Sequence, residues 1–389
     1  MKTTPQKALV VAIALASSQA SFAADSIAEM FKEAKASGNF NLRYENVDSG
    51  DDVDQLALRS RFGFTTGTYA NFSAYAEVED VTHIAGVAFP QEPALRLDRE
   101  VTEIDQAFVQ YKTDGFTAKV GRQVLTLDNH RFVGHVGWRQ DRQTFDGVNF
   151  KVNPSKEFLL DVSYLVQRNR IFGEDLDARS DDILVNGGYN TSIGKITGYA
   201  YLLDDEARNE ASDTLGVRFV GSTKGKTSFL YTAEFATQEI EAPAGSFDAD
   251  YLFLEGGIKA AGVTAKLGYE VLGSDDGTAS FTTPLATLHA FNGWTDIFLG
   301  GTFNPVALPL GLQDTYLTVG GKVGAFSLLA NFHDYQSDEG STDYGTEFGV
   351  QATAPLGGGF SGGLKYSSYS ADDFSADTDR FWTWVSFGF

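Results

Sequence analysis

The densest chemistry in this sequence lies in HRFVGHVGWRQDRQTFDG, residues 130–147, which holds two histidines, three arginines and two aspartates. Such a set could supply a general acid and base, because hydrolases and acyltransferases need a histidine poised beside a nucleophile or an activated water. His130 and His135 stand five apart with no serine near them, and FHDY at 332–335 sets His333 beside Asp334, a commonplace neighbour pair. Of the five histidines, His83, His130, His135 and His289 fall in segments read as loops. HExxH, GxSxG and a phosphate-cradling glycine loop are all missing. The chain has no cysteine, so thiolate metal sites and disulfides are excluded. Acidic runs such as DSGDDVD (48–54), EDLDARSDD (174–182) and SADDFSADTD (370–379) lack the full spacing of a calcium loop and read as solvated loops. No cofactor and no metal site is expected.

The elements that must position these residues follow from the rest of the chain. Lys2 and Lys7, the apolar run from Ala8 to Ala16 and the small residues ending at Ala23 form a secretory signal peptide, 1–23. Its removal takes the formal charge from -22 to -24, too acidic for a nucleic-acid binder. Residues 24–38 carry helical spacing, with Ile27, Met30, Phe31 and Ala34 on one face and Gly38 as a stop, and read as a short amphipathic helix that could cap one mouth of the fold. From Asn39 to the last residue, 39–389, the period is two. Phe40, Leu42 and Tyr44 alternate with Asn41, Arg43 and Glu45, and Leu56, Leu58, Phe62 and Phe64 with Ala57, Arg59, Arg61 and Gly63.

No later run is long and apolar enough for a membrane helix, but strands with an apolar face and a charged face suit a barrel in lipid. The connections alternate tight turns (113–115, 153–156, 260–262) with long acidic loops (82–100, 125–141, 274–311), the asymmetry of outer-membrane barrels. Strand centres fall near 43, 61, 76, 107, 120, 147, 162, 186, 199, 217, 231, 254, 267, 317, 331, 349, 365 and 384. The fold expected is all-β: a transmembrane antiparallel up-and-down barrel of about 18 strands with a short N-terminal periplasmic helix. The count could differ by two inside 274–311, where WTDIFLGGTF could be a loop hairpin. RFWTWVSFGF ends on Phe389, like the terminal signal by which barrel assembly machinery recognises its clients.

FKEAKASGNFNLRYENV, LALRSRFGFTTG, KVGRQVLTLDNHRFVGHVGWRQDRQTFDGV and TPLATLHAFNGWTD with GLQDTY behind it resemble the alginate export family of outer-membrane porins. The likeness covers nearly the whole mature chain. It implies an eighteen-stranded barrel whose best-known members pass an acidic polysaccharide through an arginine-lined lumen. This chain is shorter than the polysaccharide exporter, and its arginines are uneven: nine lie before residue 150 and only Arg380 beyond 218.

A charge on the lipid face near the midplane costs roughly 2–4 kcal/mol, so alternation sends Arg43, Arg59 and Arg61 into the lumen, with Glu45, Glu77 and Glu79 on the same wall and Arg380 beside them on closure. These charges could pair across strands and do little else, or create a local field that steers solutes. Arg122 and Asp146 share parity with lipid-facing Val120 and Val148; a bulge near Gly121 and Gly147 would turn them inward, or they lie beyond the bilayer at the outer rim. The third outer loop, 125–141, is expected to fold inward, with Arg139 and Arg142 among the pore-lining charges; the alternative packs it on the rim with those arginines paired to Asp141 and Asp146. The function expected is a porin passing small hydrophilic solutes, with anionic saccharides or organic anions as candidates and a cation preference left open, and outer-membrane lipids around it. The alternatives are an outer-membrane barrel enzyme and a plugged structural or adhesive barrel.

Overall fold

The computed structural model describes residues 24–50, 52–86 and 97–389; the expected signal peptide and Arg96 lie outside them. A short helix α1 (Ile27–Lys32) starts at Ser26, whose hydroxyl accepts from Glu29 N as its N-cap. The helix is shorter than its sequence spacing suggests, because the strand period takes over at Lys35. Backbone bonds from Ala24 N to Thr68 O and from Gly67 N to Met30 O tie it to the tight turn after the second strand, leaving Ile27 and Phe31 exposed. It therefore sits at a turn rather than across a mouth.

Eighteen strands follow: β1 (Lys35–Asp48), β2 (Asp52–Thr65), β3 (Phe72–Gly86), β4 (Val101–Thr113), β5 (Phe116–Gln123), β6 (Thr144–Val152), β7 (Phe158–Asn169), β8 (Ala178–Asn190), β9 (Lys195–Asp205), β10 (Glu210–Ser222), β11 (Thr227–Ala242), β12 (Gly245–Ala260), β13 (Val263–Leu272), β14 (Leu312–Val323), β15 (Phe326–Gln336), β16 (Asp343–Gly357), β17 (Phe360–Ser370) and β18 (Thr378–Gly388). Each pairs antiparallel with the next, and β18 returns to β1 with Leu42 opposite Val385, so the sheet closes and leaves no edge in lipid. Phe389 N and Gly38 O, and Gly38 N and Phe389 O, complete the seam. The Phe389 ring lies where a Gly38 side chain would stand. Each expected strand centre falls inside one of these strands. WTDIFLGGTF is not a hairpin; Leu299–Phe303 within it is a short helix.

Outward positions such as Leu42, Phe62, Val109, Leu215, Leu267 and Leu317 stand exposed around the wall. A continuous apolar exterior on a closed barrel is stable only in lipid, and its class of membrane is the outer membrane. Aromatic residues crowd the short-turn end, with Phe72, Tyr111, Phe116 and Phe150 in a chain of ring contacts 4.9 to 6.4 Å apart. Rings at that level fit a headgroup girdle.

Three bulges lie beside the charged wall. Ile84 is the extra residue against β2, Asp105 against β3 and Val166 against β6. His83 consequently belongs to β3 rather than to a loop.

Candidate functional site

Two of the long loops descend into the barrel. Residues 124–143, between β5 and β6, reach Asp128, which accepts from Asn186 Nδ2 at 2.7 Å and pairs with Lys195 Nζ at 3.1 Å. Lys195 is the first residue after a short turn, so the loop extends nearly to the opposite end of the barrel. Residues 273–311 meet it there: Val133 bridges Leu285, Gly134 N donates to Leu285 O at 2.8 Å and Thr287 N to His130 O at 2.9 Å. Gly134 is required at this crossing, since a Cβ would stand 2.2 Å from Thr287 Oγ1. Phe132, Phe281 and Leu285 pack against Tyr199, Tyr201 and Tyr251, so the joined loops fill the β9–β13 side of the lumen with an apolar core. The third outer loop thus folds inward rather than lying on the rim.

Arg131, fully buried, fixes this crosspiece to the wall. Its Nε and Nη2 reach Glu270 at 2.7 and 3.3 Å, its Nη1 reaches Thr283 Oγ1 at 3.0 Å and its Nη2 Asn292 Oδ1 at 3.1 Å. A bidentate guanidinium–carboxylate pair of this kind fixes orientation as well as charge.

The charged face lies on the other side. Arg43, Arg59, Arg61, Glu45 and Glu77 point inward from β1, β2 and β3, and Arg139, Arg142 and Arg380 join them. Arg43 donates to Asp98 and to Trp138 O; Arg61 donates to Glu79 and, at 3.1 Å, to Gln140 O. Arg139 pairs with Glu45 at 3.2 Å and Asp296 at 3.3 Å, and Arg380 reaches Asp296 at 3.0 Å. Arg142 pairs with Glu77 and, at 2.6 Å, with Asp105. Arg139 and Arg142 therefore meet wall carboxylates, not Asp141 and Asp146. Arg59 donates to Asn39 Oδ1 and has no carboxylate within ion-pair distance among the described residues.

Arg122 and Asp146 stand apart from this group. They pair with each other at 2.9 Å, and the register carries them on the face of Val109, Val120 and Val148 without a break in β5 or β6. The nearby bulge inserts its extra residue in β7, so it does not turn this pair inward. Both belong to the outward face at the loop end of the wall, where Arg122 also donates to Ile104 O at 3.0 Å.

The four tryptophans of the chain gather beside the charged face. The Lys365 ammonium lies 3.8 Å from the Trp138 ring centre and 4.1 Å from that of Trp294, and donates to His289 Nε2 at 2.9 Å. His289 Nδ1 faces Asp296 Oδ1 at 2.9 Å, so the neutral ring accepts from a cation on one side and donates to an anion on the other. Burial, reinforced by Lys365 and Arg139, pulls the His289 pKa down to about 3 against the pull of Asp296. Asp141, on the same inward loop, has no cationic side chain within ion-pair distance among the described residues. Burial, then the charges of Glu103, Glu79 and Asp105, raise its carboxyl well above the usual range.

Sequence reasoning did not single out Asp98, Asp105, Glu270, Asp296, Glu347 or Lys365. One local signal existed in FNGWTD: Gly293 adopts φ 85° with Glu347 and Tyr335 side chains crowding its Cβ position, and Thr295 N donates to Glu347 at 3.2 Å. Only glycine meets both demands. His333 pairs with Asp314 at 2.9 Å rather than with its neighbour Asp334, and no described histidine hydrogen-bonds a serine. Among the described residues no group of three or more acidic or histidine side chains is placed to hold a metal ion.

A closed eighteen-stranded barrel with a lipid-facing exterior and inward loops defines the class of outer-membrane channel barrels. The chain belongs to the alginate export family, whose model, described as "Alginate export", matches residues 30–271. Its fold is similar to those of Acinetobacter baumannii OccAB4 (TM-score 0.73, 14% identity, 92% of this chain and 98% of that one) and of Pseudomonas aeruginosa OpdK solved with vanillate (TM-score 0.73, 14% identity, 92% and 99%). Pseudomonas aeruginosa OccK8 (OprE) is similar at TM-score 0.66 and 14% identity, over 92% of this chain and 99% of that one. No curated protein matches the sequence.

Proposed function

We propose that this chain, after loss of a secretory signal spanning 1–23, is an outer-membrane porin that passes small hydrophilic solutes down their gradient. The observation that carries this reading is the pair of outer loops joined inside the lumen at Val133 and Leu285. They narrow an eighteen-stranded barrel, which would otherwise be wide. The pore-lining charges of this reading are Arg43, Arg59, Arg61, Glu45, Glu77, Arg139, Arg142 and Arg380; most are buried against the inward loop, Arg59 and Arg142 are half-buried, and such closely spaced charges set preference. The pairing of most of these arginines favours a modest anion preference over a strong one. Family membership supports an acidic saccharide or another organic anion as solute, and OpdK was solved with vanillate, itself a small organic acid.

A channel is favoured over a barrel enzyme because His289 and His333 are each locked between a fixed carboxylate and another polar side chain, with no nucleophile at hand. The test is the reversal potential of the purified protein in a planar bilayer under a salt gradient. Conductance with anion preference is expected. Silence would remove the porin reading, and a cation preference that survives substitution of Arg43, Arg59 and Arg61 would remove the role given to the arginines.

A further inference from the structure

Outside the constriction, the loops enclose a cavity of about 480 Å³ that the channel reading leaves unassigned. One wall is Ile171 and Phe172 from the loop after β7; the facing wall is Leu299 and Phe303 from the loop after β13. Arg170, Arg208, Arg139, His289 and Asp296 also line it, Asp296 being paired with Arg139 at 3.3 Å and Arg380 at 3.0 Å. Through Arg139, His289 and Asp296 the cavity adjoins the charged constriction.

Its charge balance is asymmetric. Asp205 serves both Arg168, at 3.0 Å, and Arg170, while Arg168 also holds Asp182 at 2.6 Å. Arg208 is left with no carboxylate in ion-pair distance among the described residues, Glu210 included. It donates to Phe303 O and its guanidinium lies 5.5 Å from the centre of the Phe303 ring. A guanidinium stacked on an aromatic ring and without a counter-ion is a ready partner for a carboxylate. The remaining lining is largely aliphatic and aromatic carbon, which excludes water but offers few partners to hydroxyls.

We propose that this vestibule is a specificity subsite for a small amphipathic carboxylate. The anionic group sits on Arg208 and Arg170, and a ring-sized apolar body lies between Ile171–Phe172 and Leu299–Phe303. The volume falls in the range of small-molecule pockets and exceeds what a single benzene ring needs. A uronate would bring several ring hydroxyls into a largely apolar cavity, and buried hydroxyls without partners oppose binding. The subsite consequently selects against the polyhydroxylated acids that the family description suggests. This rests on the channel reading, which it deepens by naming a solute class.

The test uses the full mature barrel in lipid nanodiscs, so that no detergent tail competes for the cavity. Calorimetric titration with benzoate, glucuronate and benzyl alcohol should show benzoate binding at least about tenfold more tightly than glucuronate. Arg208→Gln should weaken benzoate about tenfold and leave benzyl alcohol unchanged, whereas Leu299→Ser should weaken both. Equal affinity for benzoate and glucuronate, or benzoate binding indifferent to Arg208→Gln, overturns the proposal. Circular dichroism of each variant checks the barrel, and Ile171→Ser on the opposite wall repeats the apolar test if Leu299→Ser misfolds. Bilayer recording separates the two readings: benzoate binding by a silent barrel refutes the channel and keeps the subsite, while conductance without benzoate binding does the reverse.

Discussion

Replacing Arg131 by methionine removes the staple that holds the third outer loop inside the barrel. The side chain is fully buried, and its partner Glu270 is 3% exposed, so the carboxylate would lose its cation in a place water scarcely reaches. Tyr251 OH at 2.6 Å and Asn292 Nδ2 at 2.7 Å would still donate to it, but neither supplies charge. Removing one partner of a buried pair costs about 3–5 kcal/mol, because the other charge remains desolvated. At about 1.4 kcal/mol per factor of ten, the population with the loop released should rise by roughly two to three and a half powers of ten. The barrel wall, with its continuous ladder, should persist. The readouts are single-channel conductance, which should rise and become noisier, and protease cleavage within 124–143 in proteoliposomes, which should accelerate. Arg131→Met combined with Glu270→Gln should recover much of the loss, since the stranded charge is gone. Conductance and cleavage equal to wild type in the single variant, or a double variant as damaged as the single one, would refute the reasoning.

Asp141 has its pKa raised on folding, so the stability it contributes is complete below its ordinary value of 3.8 and is lost as pH rises through the folded value. Asp141→Asn should therefore slow protease cleavage of the inward loop at pH 8 and leave it unchanged near pH 3. His289 moves the other way: with a folded pKa near 3, its contribution is complete above about 6.5 and declines as pH falls toward 3, so wild-type channel noise should grow over that window and His289→Gln should flatten it. Gly363→Leu places a Cβ 2.2 Å from the Trp384 ring and should displace that ring into the lumen, lowering single-channel conductance while the barrel still resists denaturation at room temperature. Substituting Arg122 and Asp146 together should leave ion selectivity unaltered in the reversal-potential assay, because that pair faces outward.

The barrel was legible because its signals are local. Parity of two along Phe40 to Glu45 and the length difference between turns at 260–262 and loops at 274–311 are readable within a dozen residues. The bulges were not, since an extra Asp105 or Val166 leaves composition and hydropathy almost unchanged while shifting which side the next charge faces. Arg122 and Asp146 follow plain parity with Val120 and Val148; only the possibility of such a bulge left them open in the sequence. Inside the lumen the decisive pairs join residues far apart in the chain: Arg131 with Glu270, Arg139 with Glu45, Lys365 with His289. No pattern in the sequence links such positions. The eighteen-residue stretch 130–147 was recognisable as unusual, but its partners, among them Glu45, Glu77, Asp98, Asp105, Glu270 and Asp296, lie on strands and loops far apart in the chain that only the closed barrel assembles.

The crowding of arginine near the first strands suggests a strongly positive wall, yet the geometry redistributes that charge. Arg43 faces Asp98, Arg61 faces Glu79, Arg142 faces Glu77 and Asp105, and Arg380 faces Asp296. A paired guanidinium presents a dipole to a passing ion, and its field falls off faster than that of a bare charge. Arg59 differs, since its partner Asn39 is neutral. Its neighbours Arg43 and Arg61 are held in place by their own acids and do not screen it. On the channel reading proposed above, Arg59 is the arginine of this wall whose field is least cancelled, with the paired arginines serving chiefly to hold the inward loop against the wall. On that reading arginine does two jobs on one face: most of it builds the constriction, and Arg59, without an acid of its own, is the one left to act on a passing solute.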